Sequence, residues 1–190
     1  MRILQFTAVQ ARLTASLTTI ALMALLIMPG IPSKVHAEAD CGTWWVREAN
    51  LHVGLALPEF GFSTCDGTKM TTADLQGKPA LVNFWATWCP PCVKELPNLI
   101  ELSKLQGEAV RVIGVSVDAS PQDVRRFIKR QELPYTLAWD SEGIAARLGF
   151  DSIPVTVALD ASGRVAAVHH GYASKDDLQE LLQAAASATE

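Results

Sequence analysis

The residues with the strongest chemical signature are Cys89 and Cys92, separated by Pro90 and Pro91. Two thiols at this spacing can close a small disulfide ring, or hold a metal if further ligands converge on them. The spacing alone does not decide, because zinc sites use it too. Zinc would want two more Cys or His close in space, and the chain has no second Cys pair of this kind. The surroundings favour redox chemistry. Leu81-Val82-Asn83-Phe84-Trp85 reads as a strand covered on both faces. Pro90 and Pro91 end that strand and fit the first turn of a helix, where N–H groups have no intrahelical partner anyway. Cys89 then falls at the helix N-cap and Cys92 one turn in. A thiol at the positive end of a helix ionises more readily, and the thiolate is the reactive form. Cys89 is therefore the expected attacking thiol, the more exposed of the two, and Cys92 the resolving one. With two prolines following Cys89, the Cys92 N–H is the expected main-chain donor to its sulfur. No basic residue lies between the thiols. Modest thiolate stabilisation predicts a relatively reducing couple, since strong oxidants are those whose reduced form is heavily stabilised.

Further elements must hold this pair in place. Pro58 to Phe62 alternates and reads as a short strand; Asp66-Gly67 is a hairpin turn signal, and Lys69 to Thr71 returns as its partner. Thr72 to Gly77 reads as a helical turn. The helix after the cysteines is expected from Pro90 to about Gln106, with Leu96, Leu99, Ile100, Leu102 and Leu105 on helical spacing and Pro97 kinking it. Residues 109–117 read as a second buried strand. A helix capped by the stretch Asp118 to Pro121 follows, then a strand from Pro134, a short helix from Ser141 and an aliphatic strand directly after Pro154. Residues 164–170 return as the hairpin partner, and Ser174 opens the last helix. A parallel strand–helix–strand half followed by a hairpin and a helix gives an α/β fold: a mixed central sheet with helices on both faces.

Phe84-Trp85-Ala86-Thr87-Trp88-Cys89-Pro90-Pro91-Cys92 with Lys94-Glu95-Leu96-Pro97 resembles the extracytoplasmic thioredoxin-like proteins of the TlpA and ResA type. The resemblance spans residues 58–190 and implies the thioredoxin fold with an N-terminal β-hairpin extension. It implies a cis peptide between Ile153 and Pro154, in a loop beside the cysteines whose backbone can pair with an extended substrate. From spacing alone, Pro154 would read as a trans proline opening an edge strand. Trp88, Pro90, Pro91, Ile153 and Pro154 then become substrate contacts, while Trp85 belongs to the core. Family members with Cys-x-x-Glu-x-Pro use the carboxylate near the thiols, so Glu95 is expected to accept or relay the Cys92 proton; the alternative is a solvated helix charge. Asn83 stands where cytoplasmic thioredoxin has a buried acid, which shifts that task towards Glu95 or water.

Residues 1–12 carry Arg2 and Arg12 and no acid, residues 13–28 carry no charge, and Pro29-Gly30 breaks the apolar run before Val35-His36-Ala37. This is the layout of a cleavable signal peptide over residues 1–37, or of an N-terminal membrane anchor somewhat short for a full span. Either way the remainder is expected outside the cytoplasm, in the periplasm or its equivalent: a lead-in segment over 38–57 read as an amphipathic helix, then the domain over 58–190. Loss of 1–37 removes Arg2, Arg12 and Lys34 and no acid, leaving 13 basic against 20 acidic residues, a net charge of −7. That argues against nucleic acid as a partner. Cys41 and Cys65 remain after the redox pair. They can form a structural disulfide worth ~3 kcal/mol in the chain-entropy model, stay free, or pair with another chain. His169 and His170 are neighbours on a strand and point to opposite faces, so they read as surface histidines, not a metal site. No metal and no cofactor beyond the Cys89–Cys92 disulfide is expected.

The leading reading is a monomeric protein-disulfide reductase. Its expected partners are exported proteins with cysteine pairs, such as apocytochrome c or copper-site proteins, and a membrane thiol electron donor. The competing readings are a peroxiredoxin-like peroxidase, a copper chaperone, and a general periplasmic disulfide oxidant or isomerase.

Overall fold

The computed structural model describes residues 43–46 and 51–188. All lie in the second of the two units into which the chain divides, Glu38–Glu190. The signal-peptide or anchor segment and Cys41 fall outside the described residues. Among these residues no helix is long and apolar enough to cross a membrane.

The central sheet has five strands in the order β6-β5-β4-β7-β8. They are β4 (Ala80–Trp85), β5 (Arg111–Ser116), β6 (Thr136–Trp139), β7 (Val155–Leu159) and β8 (Val165–His170). β4 pairs in parallel with β5, and β5 with β6; β7 runs antiparallel to both β4 and β8. The helices are α1 (Pro90–Gln106), α2 (Pro121–Gln131), α3 (Ile144–Arg147) and α4 (Lys175–Ser187). This is the mixed α/β thioredoxin-like architecture that element order predicted.

Every residue of β4 is buried, and its alternation sorts them between two cores. Val82 and Phe84 pack with Phe60, Leu75, Ile113, Val155 and Val157 on one face. Leu81 packs with Leu99, Leu102, Leu178 and Leu181 of α1 and α4 on the other. Trp85 continues the second face into a smaller cluster with Cys89, Cys92, Leu96 and Leu137, directly beneath the cysteines. Period-two geometry puts Asn83 on this same face, between Leu81 and Trp85. A polar residue in a strand buried on both sides needs internal partners, and it has them.

Two expectations need correction. Residues 43–46 form a strand, β1 (Thr43–Val46), within the segment read as an amphipathic helix. β1 pairs antiparallel with β2 (Phe60–Ser63), which pairs with β3 (Lys69–Thr71), so the predicted hairpin is the inner part of a three-stranded sheet. Trp-Trp-Val is a bulky and β-branched run, and the free edge of β2 supplied a template. Leu105 is 75% exposed, although it shares the helical spacing of the core leucines. The stretch from Asp118 to Pro121 caps α2 as expected, with Ser120 at the N-cap position, while the Asp118 carboxylate turns inward to another task.

Gly114 on β5 shows how tightly the cluster beneath the cysteines is filled. A Cβ there would lie 2.8 Å from Leu137 Cδ2, 3.0 Å from Trp85 Nε1 and 3.2 Å from the Tyr135 ring. Gly114→Ala is expected to lower stability by about 1–3 kcal/mol through overpacking, read as a reduced midpoint in urea unfolding of the oxidised protein.

Candidate active site

The site is assembled where β4 ends. Cys89 takes the N-cap of α1 with extended backbone (φ −94°, ψ 105°), and Pro90 and Pro91 fill the first turn. Cys89 and Cys92 are joined in a disulfide of 2.07 Å, with their Cα atoms 5.3 Å apart. The Cys92 N–H donates to Cys89 Sγ at 3.3 Å. Both cysteines are buried, Cys89 at 4% exposure and Cys92 at 1%. Cys89 is on the accessible side: it lines a groove of about 610 Å³ with Trp88, Pro91, Val117, Phe150 and Ile153. Trp88 is 65% exposed at the rim, whereas Trp85 is fully buried.

Two loops frame this groove. The loop before Cys89 is held by Asp118, whose carboxylate accepts from the Thr87 N–H (2.9 Å), the Thr87 hydroxyl (2.5 Å) and the Ser116 hydroxyl (2.5 Å). The loop before β7 carries a cis Ile153–Pro154 peptide. It brings the Ile153 carbonyl oxygen to 3.8 Å from Cys89 Sγ. On the far wall, Asp140 accepts from the Ile144 and Ala145 N–H groups and fixes the start of α3.

Glu95 lies one turn beyond Cys92 and is fully buried, which excludes the solvated-charge reading. Its Oε1 accepts from Asn83 Nδ2 at 2.8 Å, and the same amide group donates to Thr156 Oγ1 at 3.0 Å. Its Oε2 accepts from the Ala173 N–H at 2.6 Å. These donors favour the carboxylate, as does the charge of His169, but burial acts the other way and prevails. The carboxyl is pushed up to about 7. The phenol of Tyr135 is raised too, by its own burial first and by the nearby Glu95 charge second.

Cys89, Cys92, Trp88, Pro90, Pro91, Ile153, Pro154 and Glu95 thus converge on one end of the sheet. Cys65 is disulfide-bonded and packs against the cluster beneath the pair; its expected partner, Cys41, lies outside the described residues. Sequence reasoning missed Asp118, Thr156 and the Tyr172–Ala173 loop. Thr156 was findable in principle: it is the one polar residue in the Val155–Leu159 run and sits opposite Asn83. Nothing local to Ala173 distinguishes it.

The Redoxin family profile matches residues 52–184. The chain belongs to the redoxin family. It is 33% identical over 143 residues to the thioredoxin-like protein YneN of Bacillus subtilis, covering 74% of this chain and 84% of that one. It is 31% identical over 142 residues to the thiol-disulfide oxidoreductase ResA of Bacillus thuringiensis, covering 74% and 82%. Among solved structures, a thiol:disulfide interchange protein of the thioredoxin family from Chlorobium tepidum aligns with a TM-score of 0.62 at 30% identity, over 72% of this chain and 99% of that one. Within the redoxin family this chain is thus a thioredoxin-like thiol–disulfide oxidoreductase, and the likeness to ResA-type proteins read from the motif holds.

A proton affinity raised by burial has a consequence for stability. Folded Glu95 holds its proton up to about pH 7, whereas an unfolded glutamate releases it near 4.5. Between those values the folded state binds more protons, so stability falls as pH rises through the window. The loss is on the order of 3 kcal/mol, complete above pH 7. Denaturant unfolding of the oxidised protein from pH 5 to 8 is expected to show this decline, and the Glu95→Gln variant to lack it.

Proposed function

We propose that this chain is a reductant of disulfides in exported proteins, with Cys89 as nucleophile, Cys92 as resolving thiol and Glu95 as acceptor of the Cys92 proton. The observation that carries the reading is the buried carboxylate one turn below the buried sulfur of a cysteine pair whose other sulfur lines an open groove. A thiol that must ionise away from water needs a base nearby with matched proton affinity. A carboxyl poised near neutral pH fits that need better than an ordinary one.

The reaction runs in two exchanges. The Cys89 thiolate attacks one sulfur of the substrate disulfide; that bond breaks, the second substrate sulfur leaves as a thiolate, and a mixed disulfide forms. Cys92 then gives its proton to Glu95 and attacks Cys89 Sγ. The mixed disulfide breaks, the remaining substrate sulfur departs, and the Cys89–Cys92 bond closes. The substrate gains two electrons and the protein loses two, which an external dithiol must return. We assign that role to a membrane thiol donor facing the same compartment.

The groove supports recognition of an extended segment carrying a cysteine pair. Trp88, Pro90 and Pro91 supply one apolar wall and the Ile153–Pro154 loop the other, with its carbonyl beside the attacking sulfur. Candidate substrates are apocytochrome c before haem attachment and proteins that build copper sites. The weak support given to a Cys89 thiolate favours the reducing direction. Pro90 and Pro91 offer no N–H, and the Cys92 N–H is its main-chain donor.

Two measurements test this. Equilibration with glutathione or dithiothreitol is expected to give a potential below about −200 mV; a value near −120 mV would make the protein an oxidant instead. With Cys92→Ala, Cys89 is expected to accumulate as mixed disulfides with exported cysteine-containing proteins, and Cys89→Ala to capture none. Equal capture by both variants would remove the assigned order of attack.

A further inference from the structure

His169 is not a passive surface residue. On β8 it lies opposite Thr156 of β7, which in turn lies opposite Asn83 of β4. Cross-strand partners project to the same face, so His169 shares the α1 and α4 side with Asn83 and Glu95. His170 pairs with Val155 and meets the Phe150 ring on the other face.

The His169 side chain is half-buried, and its Nε2 lies 3.2 Å from the Tyr172 carbonyl oxygen. A carbonyl oxygen only accepts, so Nε2 carries the hydrogen. The same peptide unit continues into the Ala173 N–H, which donates to Glu95 Oε2 at 2.6 Å. One planar peptide therefore joins the two side chains: the imidazole holds its oxygen end and the carboxylate receives its hydrogen end. The loop is braced at further points. Asn98 of α1 donates to the Ala173 carbonyl at 3.1 Å, and its amide lies 3.2 Å from the Tyr172 hydroxyl. Lys94 stands 4.8 Å above the Tyr172 ring.

We propose that His169 is a positioning residue for Glu95, acting through the peptide unit between Tyr172 and Ala173. Its N–H fixes the orientation of that peptide, so that the Ala173 N–H stays aimed at the carboxyl group. A donor to a carboxylate favours the ionised form. Loosening the loop therefore leaves Glu95 protonated to higher pH. The other titratable groups around Glu95 are Tyr135 just before β6, Asp177 from α4 and Cys92 on α1 itself. Asp177 acts against ionisation and is tied to the Ser174 cap. The consequence for catalysis rests on the role proposed for Glu95 above; the positioning does not.

The test is a carbon-13 titration of the Glu95 carboxyl in the oxidised full chain, where neither Cys89 nor Cys92 ionises. Glu95→Gln assigns the resonance. His169→Leu is expected to raise the Glu95 midpoint by about half a pH unit to one unit. His169→Gln keeps an N–H at the Nε2 position without the charge and is expected to recover most of that shift. His170→Gln, on the opposite face, is expected to leave the midpoint in place. An unchanged midpoint in folded His169→Leu overturns the proposal. So does a His169→Gln variant that recovers nothing, since charge rather than the peptide would then carry the effect. Should His169→Leu fail to fold, His169→Ala takes its place, and an unchanged Glu95 midpoint in that variant overturns the proposal. If Glu95→Gln leaves exchange kinetics unaltered while His169→Leu moves the midpoint, the catalytic role of Glu95 falls and the positioning stands.

Discussion

A carboxyl group sealed inside the domain is the constraint around which the cysteine end is built. Taking a carboxylate out of water costs several kcal/mol unless hydrogen bonds offset it. Glu95 meets that cost from three elements at once: Asn83 on the central strand, Ala173 on the loop before α4, and its own place on α1. Asn83 is satisfied in turn by Thr156. None of these partners lies near the others in sequence, so the carboxyl binds the two halves of the fold together at the point where the thiols sit. The offset is incomplete, and the residue of that cost is a proton affinity near neutrality. A fully compensated carboxylate would be a fixed charge; an uncompensated one would stay protonated. The intermediate case is the useful one for accepting and returning a proton.

The cysteine pair depends on the same principle of local satisfaction. Cys89 needs an extended N-cap backbone, which the prolines after it enforce. The Thr87 loop before it is clasped by the Asp118 carboxylate, which accepts its backbone and hydroxyl donors together. The Ile153 carbonyl closes the third side. Cys89 Sγ is thereby held by a helix end, a clasped loop and a strand-entry loop, while the Trp88 ring stands out beside it into solvent.

Much of this was legible in the residues. Element order from Ala80 onwards gave the strand directions correctly, because aliphatic runs and helical spacing there are strong and the turns carry Gly, Pro and Asp. The Cys-Pro-Pro-Cys motif located the helix start, and the Cys-x-x-Glu spacing located Glu95. What failed were properties set by tertiary neighbours. Trp44 and Trp45 suit a helix or a strand equally until the free edge of β2 is known. The clasp of Asp118 on Thr87 was invisible, since an acidic residue after a buried strand can turn either way. Alternation separated His169 from His170 but could not say which face α1 would cover. The burial of Glu95 was undecidable, since a helix residue's exposure depends on where the next helix and loop fall.

The central claim is that Glu95 takes the proton from Cys92 during resolution. The most direct measurement forms the mixed disulfide of Cys89 with glutathione in the otherwise wild-type chain and follows glutathione release by Cys92 as a function of pH. The release rate should rise through an apparent midpoint near 7, and in the Glu95→Gln variant that midpoint should move towards the ordinary cysteine value of about 8.5, with at least tenfold slower release at pH 7. Identical profiles for the two proteins would contradict the account.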